Sequence, residues 1–200
     1  MQGSVTLGGA VRPRLIHSAG YGKAGTAYKL RNIGNVLPGQ ARHGLARALR
    51  MNHMLGKLSA VKFGADGRVI DYGLVCTESV TTAFCAFLAA QFITDSTEVG
   101  DFKYHDSGVG ITGENITDTD IETTDGENRV AGTQVQGASA VAYKSVGTIA
   151  YTTSKAITEH GLFSQAAGTT LMDRSVFAAI NVVNGDSIQF TFELTLTAGG

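Results

Sequence analysis

Tryptophan is absent from these 200 residues, proline and cysteine occur twice each, and only 16% of the chain is charged. Each scarcity excludes something. Without indole rings an aromatic sugar-binding platform would have to rest on tyrosine alone, which disfavours a carbohydrate-binding module. Two thiols, Cys76 and Cys85, cannot build a disulfide scaffold. Met1 is followed by Gln2, Gly3 and Ser4 rather than by a basic and then apolar leader, so the thiols are expected to be free, mostly buried and in a reducing compartment. The longest apolar run, Val80 to Ile93, is broken by Thr81, Thr82 and Gln91 and is too short to cross a bilayer, so no membrane partner is expected. Low charge beside abundant apolar residues also excludes a disordered chain.

What is present points to strands. Glycine, threonine, alanine and valine dominate, the composition of a strand-rich body with many turns. The length suits one sizeable domain, or a domain with an arm, whose core needs no staples. The net charge of −1 conceals a division: residues 1–70 hold eleven basic side chains against one acid, Asp66. That is about +10, so the remainder carries about −11. A basic arm of this kind binds nucleic acid or lies on an acidic neighbouring subunit. The lack of interleaved aromatics favours the second and disfavours nucleic acid.

The expected fold class is mainly β with two helices (α+β): an antiparallel β-sandwich body with a basic extended N-terminal arm. Residues 1–37, Gly-rich and basic, read as the arm, with Arg12, Arg14, Lys23, Lys29 and Arg31 as interface candidates together with Arg42, Arg47 and Arg50. Residues 38–95 read as a helix–hairpin–helix segment. Its first helix runs from Pro38 or Gly39 to Leu58, burying a stripe of Leu45, Ala48, Leu49, Leu55 and Leu58. The hairpin places Val61 to Phe63 and Val69 to Val75 around Gly64-Ala65-Asp66-Gly67. The second helix is capped by Thr77 or Ser79 and buries Phe84, Phe87, Leu88 and Phe92. Residues 96–200 read as the sandwich domain. Strands are expected at 140–153, around Gly147, and at 156–163, 171–183 and 187–197. In the last of these Ile188, Phe190, Phe192, Leu194 and Leu196 alternate with polar residues after an Asn184-Gly185 turn.

Chemistry is sparse. His105-Asp106 and Glu159-His160 are adjacent pairs, and strand neighbours point to opposite faces, so neither makes a local acid–base dyad. No nucleophile elbow, phosphate loop, dinucleotide fingerprint or metal-ligand spacing appears, so neither a cofactor nor catalysis is expected. Asp118, Asp120 and Glu122 alternate and would share one face of an extended strand, where a hard cation such as calcium could bridge them. Otherwise the run from Glu114 to Glu127 is a solvated loop, or the acceptor for a neighbour's basic arm.

Five short motifs follow one another in the second half: His105-Asp106-Ser107-Gly108-Val109-Gly110, Asn128-Arg129-Val130-Ala131-Gly132-Thr133, Ile157-Thr158-Glu159-His160-Gly161-Leu162-Phe163, Leu171-Met172-Asp173-Arg174-Ser175-Val176-Phe177 and Asn184-Gly185-Asp186-Ser187-Ile188-Gln189-Phe190. In this ordered set, residues 75–200 resemble virion proteins of tailed bacteriophages, the fibre- and decoration-type β-sandwich subunits. The residues give structural reasons for several positions. Gly161 would let the chain turn tightly before Leu162 and Phe163. Arg174, beside Asp173 in the otherwise apolar strand that holds Phe177, needs a carboxylate such as Glu159, because an unpaired buried guanidinium is costly. Asp186 is placed to accept backbone N–H groups after the turn.

The resemblance implies a non-enzymatic assembly part located in the virion and assembled in the host cytoplasm. The first expectation is a capsid decoration or cement protein, a homotrimer contacting the major capsid protein. The alternative is a tail, neck or fibre-attachment component. A weaker one, of another class, is a nucleic-acid-binding protein using the basic first 70 residues, with steeply salt-dependent affinity.

Overall fold

The structure is a computed structural model, and it describes residues 20–49, 53–78, 80–91, 102–137, 139–168 and 170–197. Arg12, Arg14, Arg50 and Phe92, and most of the expected arm, lie outside the described residues, as does the side chain of Arg47.

Two sheets face each other. The larger runs β1 (Tyr21–Lys23), β3 (Val69–Glu78), β2 (His53–Phe63), β10 (Ser187–Thr197), β7 (Ala142–Ala150) and β6 (Thr133–Gln136). The smaller runs β5 (Val130–Ala131), β4 (Tyr104–Gly108), β8 (Lys155–Phe163) and β9 (Leu171–Val182). All pairings are antiparallel except the short one of β1 with β3. The mainly β expectation holds, and two packed sheets with two helices are consistent with a sandwich.

The alternation in β10 explains why it sits in the middle. Ile188, Phe190, Phe192 and Leu194 are buried, and β10 pairs with β2 on one side and β7 on the other. Leu196 departs from the pattern and is 46% exposed. Across the gap, Phe177 and Phe190 rings lie 6.1 Å apart, and Ile157, Leu162, Ile180 and Val182 complete the core with Leu58, Ala60 and Val75. Each such side chain contributes about 1.5–3 kcal/mol by leaving water.

One lateral opening is closed by the chain itself: β5 belongs to the small sheet and β6 to the large one, with only Gly132 between them. The opposite opening, between β3 and β9, is covered by α1 (Thr26–Ala48). The Asn32 side-chain oxygen accepts the Ala178 N–H at 2.7 Å, and the Thr77 hydroxyl donates to the Val36 carbonyl. Gly39 is needed here because a side chain would collide with the Thr77 carbonyl.

Several expectations need correction. The helix starts at Thr26, so residues 26–37 are helical and not an extended arm, and Pro38 lies inside the helix. Proline in a helix interior removes a hydrogen bond at a cost of about 3 kcal/mol, a loss that docking on β3 and β9 can offset. The helix ends before Leu58, because Leu55 and Leu58 are buried in strand β2. The hairpin at Gly64–Gly67 forms as expected, but its two strands belong to the large sheet, so residues 38–95 are no separate segment.

The stripe on α1 is also reversed. Tyr28, Asn32 and Gly39 face the body, whereas Leu45 and Leu49 are 61% and 60% exposed. The second helix, α2 (Thr82–Gln91), is capped by Thr81, whose hydroxyl oxygen accepts the Phe84 N–H at 3.2 Å; Thr77 lies in β3 and Ser79 outside the described residues. Phe84 is buried and Phe87 half-buried, both edge-on to Phe102 at 5.0 Å. Among the described residues no helix is long and apolar enough to cross a membrane.

Candidate functional site

Sheet pleating sends alternate residues of β4, β8 and β9 to opposite faces, and both faces of the small sheet carry buried polar side chains, the inner one among core residues. On the outer face Glu159, Gly161, Phe163, Asp106 and Arg174 meet the loop of residues 109–129. Glu159, 0% exposed, accepts the N–H groups of Gly110, Glu122 and Thr123 at 2.9, 2.9 and 2.8 Å. Arg174 donates to Glu159 Oε2 at 2.8 Å, to Asp118 at 3.0 Å, to Glu122 at 3.3 Å and to the Thr112 carbonyl at 3.1 Å. The Arg174–Glu159 pair suggested by sequence therefore forms.

The expected cation bridge is different in kind. Residues 118–122 are irregular loop rather than a strand, Asp118 and Glu122 converge on the Arg174 guanidinium, and Asp120 reaches Arg129 at 3.2 Å. Arg129 also holds Asp106 at 2.9 Å and lies 3.4 Å from the centre of the Phe163 ring. Lys155 pairs with Glu127 at 3.2 Å. The acids of the loop are thus largely neutralised within the chain. Gly161 is corrected too: it is mid-strand, not a turn, and a Cβ there would lie 2.6 Å from Phe163 and 2.9 Å from Ile121.

On the inner face a sealed seam crosses the sandwich. His105 Nδ1 and His160 Nε2 are 2.9 Å apart, and His105 Nε2 lies 2.8 Å from the Ser145 hydroxyl. Gly132 and Gly147 make the room, since a Cβ on either would come within 2.7 or 2.5 Å of the His105 ring. His160 Nδ1 has no partner. The arrangement that leaves no N–H unpaired has His160 Nε2–H donating to His105 and His105 Nε2–H donating to Ser145, with a bare lone pair at His160 Nδ1. Burial holds the His105 pKa down at about 4; burial, and then His105, hold His160 well below the usual range. His105, His160 and Ser145 are all 0% exposed, so the seryl oxygen is out of reach of a substrate and the trio serves the core. As expected, neither adjacent pair forms a dyad: Asp106 and Glu159 point away from their histidine neighbours.

The remaining polar cluster was not visible in the sequence. A cleft of about 380 Å³ between α1, the end of β3 and the acidic loop is lined by Arg42, Glu78, Glu114, Asn115 and Arg174. Cys76 lies behind it, its thiol 3.3 Å from Glu114 Oε1. Burial raises the Cys76 thiol, and the nearby carboxylates raise it further. Burial, with Glu114 beside it, lifts Glu78 to about 7. Burial likewise lifts Asp173 to about 7; among the described residues Ser175 alone donates to it, at 2.7 Å, and its Oδ1 has no partner.

Of the expected interface residues, Lys23, Lys29 and Arg31 are exposed, and Arg42 pairs with Glu78 at 3.1 Å. Lys29 and Arg31 share α1 with exposed Leu30, Ile33, Leu37 and Leu45, and exposed Leu49 follows it. Phe177 is a core residue. No protein-family model, no curated protein and no solved structure matches this chain.

Proposed function

We propose that the chain is a non-enzymatic assembly subunit of a tailed-phage particle, a decoration or cement protein that associates with copies of itself and with the shell. The phage attribution rests on the ordered motif set of residues 75–200. The assembly role is carried by one observation: α1 and the residue that follows it turn Leu30, Ile33, Leu37, Leu45 and Leu49 outward, each 50–61% exposed, while α1 docks on the body through Tyr28, Asn32 and Gly39. An apolar row outward on a docked helix marks a contact with another chain. The basic side chains Lys29 and Arg31 border the row and supply orientation. Since the acidic loop already holds internal cations, the proposed contact is apolar first and electrostatic second.

The test is sedimentation of the full chain with quantitative mass spectrometry of particles. A homotrimer that Ile33→Asp with Leu37→Asp converts to a folded monomer supports the reading; a wild-type monomer at high concentration overturns the self-association. Copy number comparable to the major shell protein supports decoration. A small fixed number moves the subunit to the tail or neck, and absence from particles removes the virion reading.

A further inference from the structure

The Cys76 Sγ and one carboxylate oxygen each from Glu78 and Glu114 lie within 4.8 Å of one another. Acids gather on many surfaces without a ligand, but here one member is a buried thiol on strand β3. Sγ is 3.3 Å from Glu114 Oε1. In a tetrahedral zinc site, bond lengths of about 2.3 Å to sulfur and 2.0–2.2 Å to oxygen put neighbouring S and O atoms about 3.5 Å apart.

Asp173 supplies an independent sign. It is 1% exposed, one of its oxygens takes the Ser175 hydroxyl, and the other has no partner. That orphan oxygen is aimed at Gly56, where a Cβ would lie 2.8 Å from it. Gly56 is the cross-strand partner of Glu78, and the next inward pair along is Leu58 with Cys76. The unpaired oxygen therefore lies over Gly56, directly across from Glu78 on β3, and Asp173 is an acidic neighbour within electrostatic reach of both Cys76 and Glu78.

The cations nearby do not answer this charge. Among the described residues Arg42 pairs with Glu78, from a side chain that is 59% exposed. Arg174 lines the same cleft, but its three nitrogens are engaged by Glu159, Asp118, Glu122 and the Thr112 carbonyl. We infer that Cys76, Glu78 and Glu114 form a binding site for a thiophilic divalent cation of the zinc class, with the cleft admitting the ion and a water as fourth ligand. A thiolate selects zinc or cobalt over calcium and magnesium, which prefer all-oxygen shells. Binding replaces the thiol proton, which leaves to solvent, with a metal–sulfur bond. The ion would join β3 to the acidic loop, two parts joined here by Glu114 alone among these ligands.

The experiment uses the full chain stripped of metal and titrated with cobalt(II), then with zinc. A near-ultraviolet thiolate-to-cobalt band with visible tetrahedral bands is expected, retained in Cys85→Ser and lost in Cys76→Ser. Glu114→Gln, a half-exposed loop position, should weaken cobalt at least tenfold while circular dichroism in chelator matches wild type. It keeps the test valid if Cys76→Ser fails to fold. No band, a band that survives Cys76→Ser, or one lost only in Cys85→Ser would overturn the site and leave the three groups as a proton-sharing cluster.

Discussion

Replacing Arg174 with methionine tests whether the loop of residues 109–129 is held by one buried ion pair. The side chain is 4% exposed and Glu159, its partner at 2.8 Å, is 0% exposed. Removing one member of a buried pair commonly destabilises by about 3–5 kcal/mol, because the survivor is left charged and dry. Glu159 keeps three backbone N–H donors, which places the loss near the lower end, about 3 kcal/mol. Asp118 and Glu122, at the solvent rim, add little because water screens them. For a chain of this length that corresponds to a melting temperature roughly 6–12 °C lower. Urea denaturation measures the free energy, and a cycle with Glu159→Gln isolates the pair, with a coupling of about 2 kcal/mol expected. Hydrogen exchange should rise at Gly110, Glu122 and Thr123 while β10 stays protected. A loss below about 1 kcal/mol, or a coupling near zero, refutes the staple.

Acid should act on the histidine seam. Unfolded His105 titrates near 6.5 and folded His105 near 4, so the unfolded chain binds more protons between these values. The contribution of the neutral ring is therefore complete above pH 6.5 and is lost as pH falls toward 4, by about 3 kcal/mol. Glu78 and Asp173, raised to about 7, titrate with the opposite sign, so the quantity to measure is wild type minus His105→Gln across pH 7 to 4. A difference that does not shrink with acid contradicts the assignment. Gly161→Ala should destabilise by about 1–3 kcal/mol through collision with Phe163 and Ile121, read by thermal melting, whereas a mobile turn at that position would accept alanine freely.

Where one residue's neighbours along the chain determine its setting, the sequence was legible. The alternation of β10, the Asp-Gly and Asn-Gly turns and the need of Arg174 for a carboxylate all lie within one element or one electrostatic requirement. Helix α1 was not legible, because Gly34, Pro38, Gly39 and Gly44 look like breaks and because periodicity names an apolar side without saying whether anything covers it. Docking places Tyr28, Asn32 and Gly39 against the body and leaves the leucines outside. The His105–His160 contact joins strands far apart in sequence. Its only trace was Gly132 and Gly147, each of which reads locally as a weak point in a strand. The Cys76 cluster needed three segments at once, and spacing along the chain cannot show that.

The place of β10 has a consequence for how the molecule comes into being. It is bonded to residues 53–63 on one side and 142–150 on the other, so the large sheet has no continuous middle until residues 187–197 exist. During synthesis the β2–β3 hairpin and β7 must wait as unpaired edges, with Leu58, Val75 and Ile149 uncovered. Such non-local closure is slow, and waiting edges invite pairing with other chains. Folding yield in cells should therefore depend on what shields those edges before the last strand arrives, and a chain cut just before Ser187 should aggregate rather than persist as a smaller soluble domain.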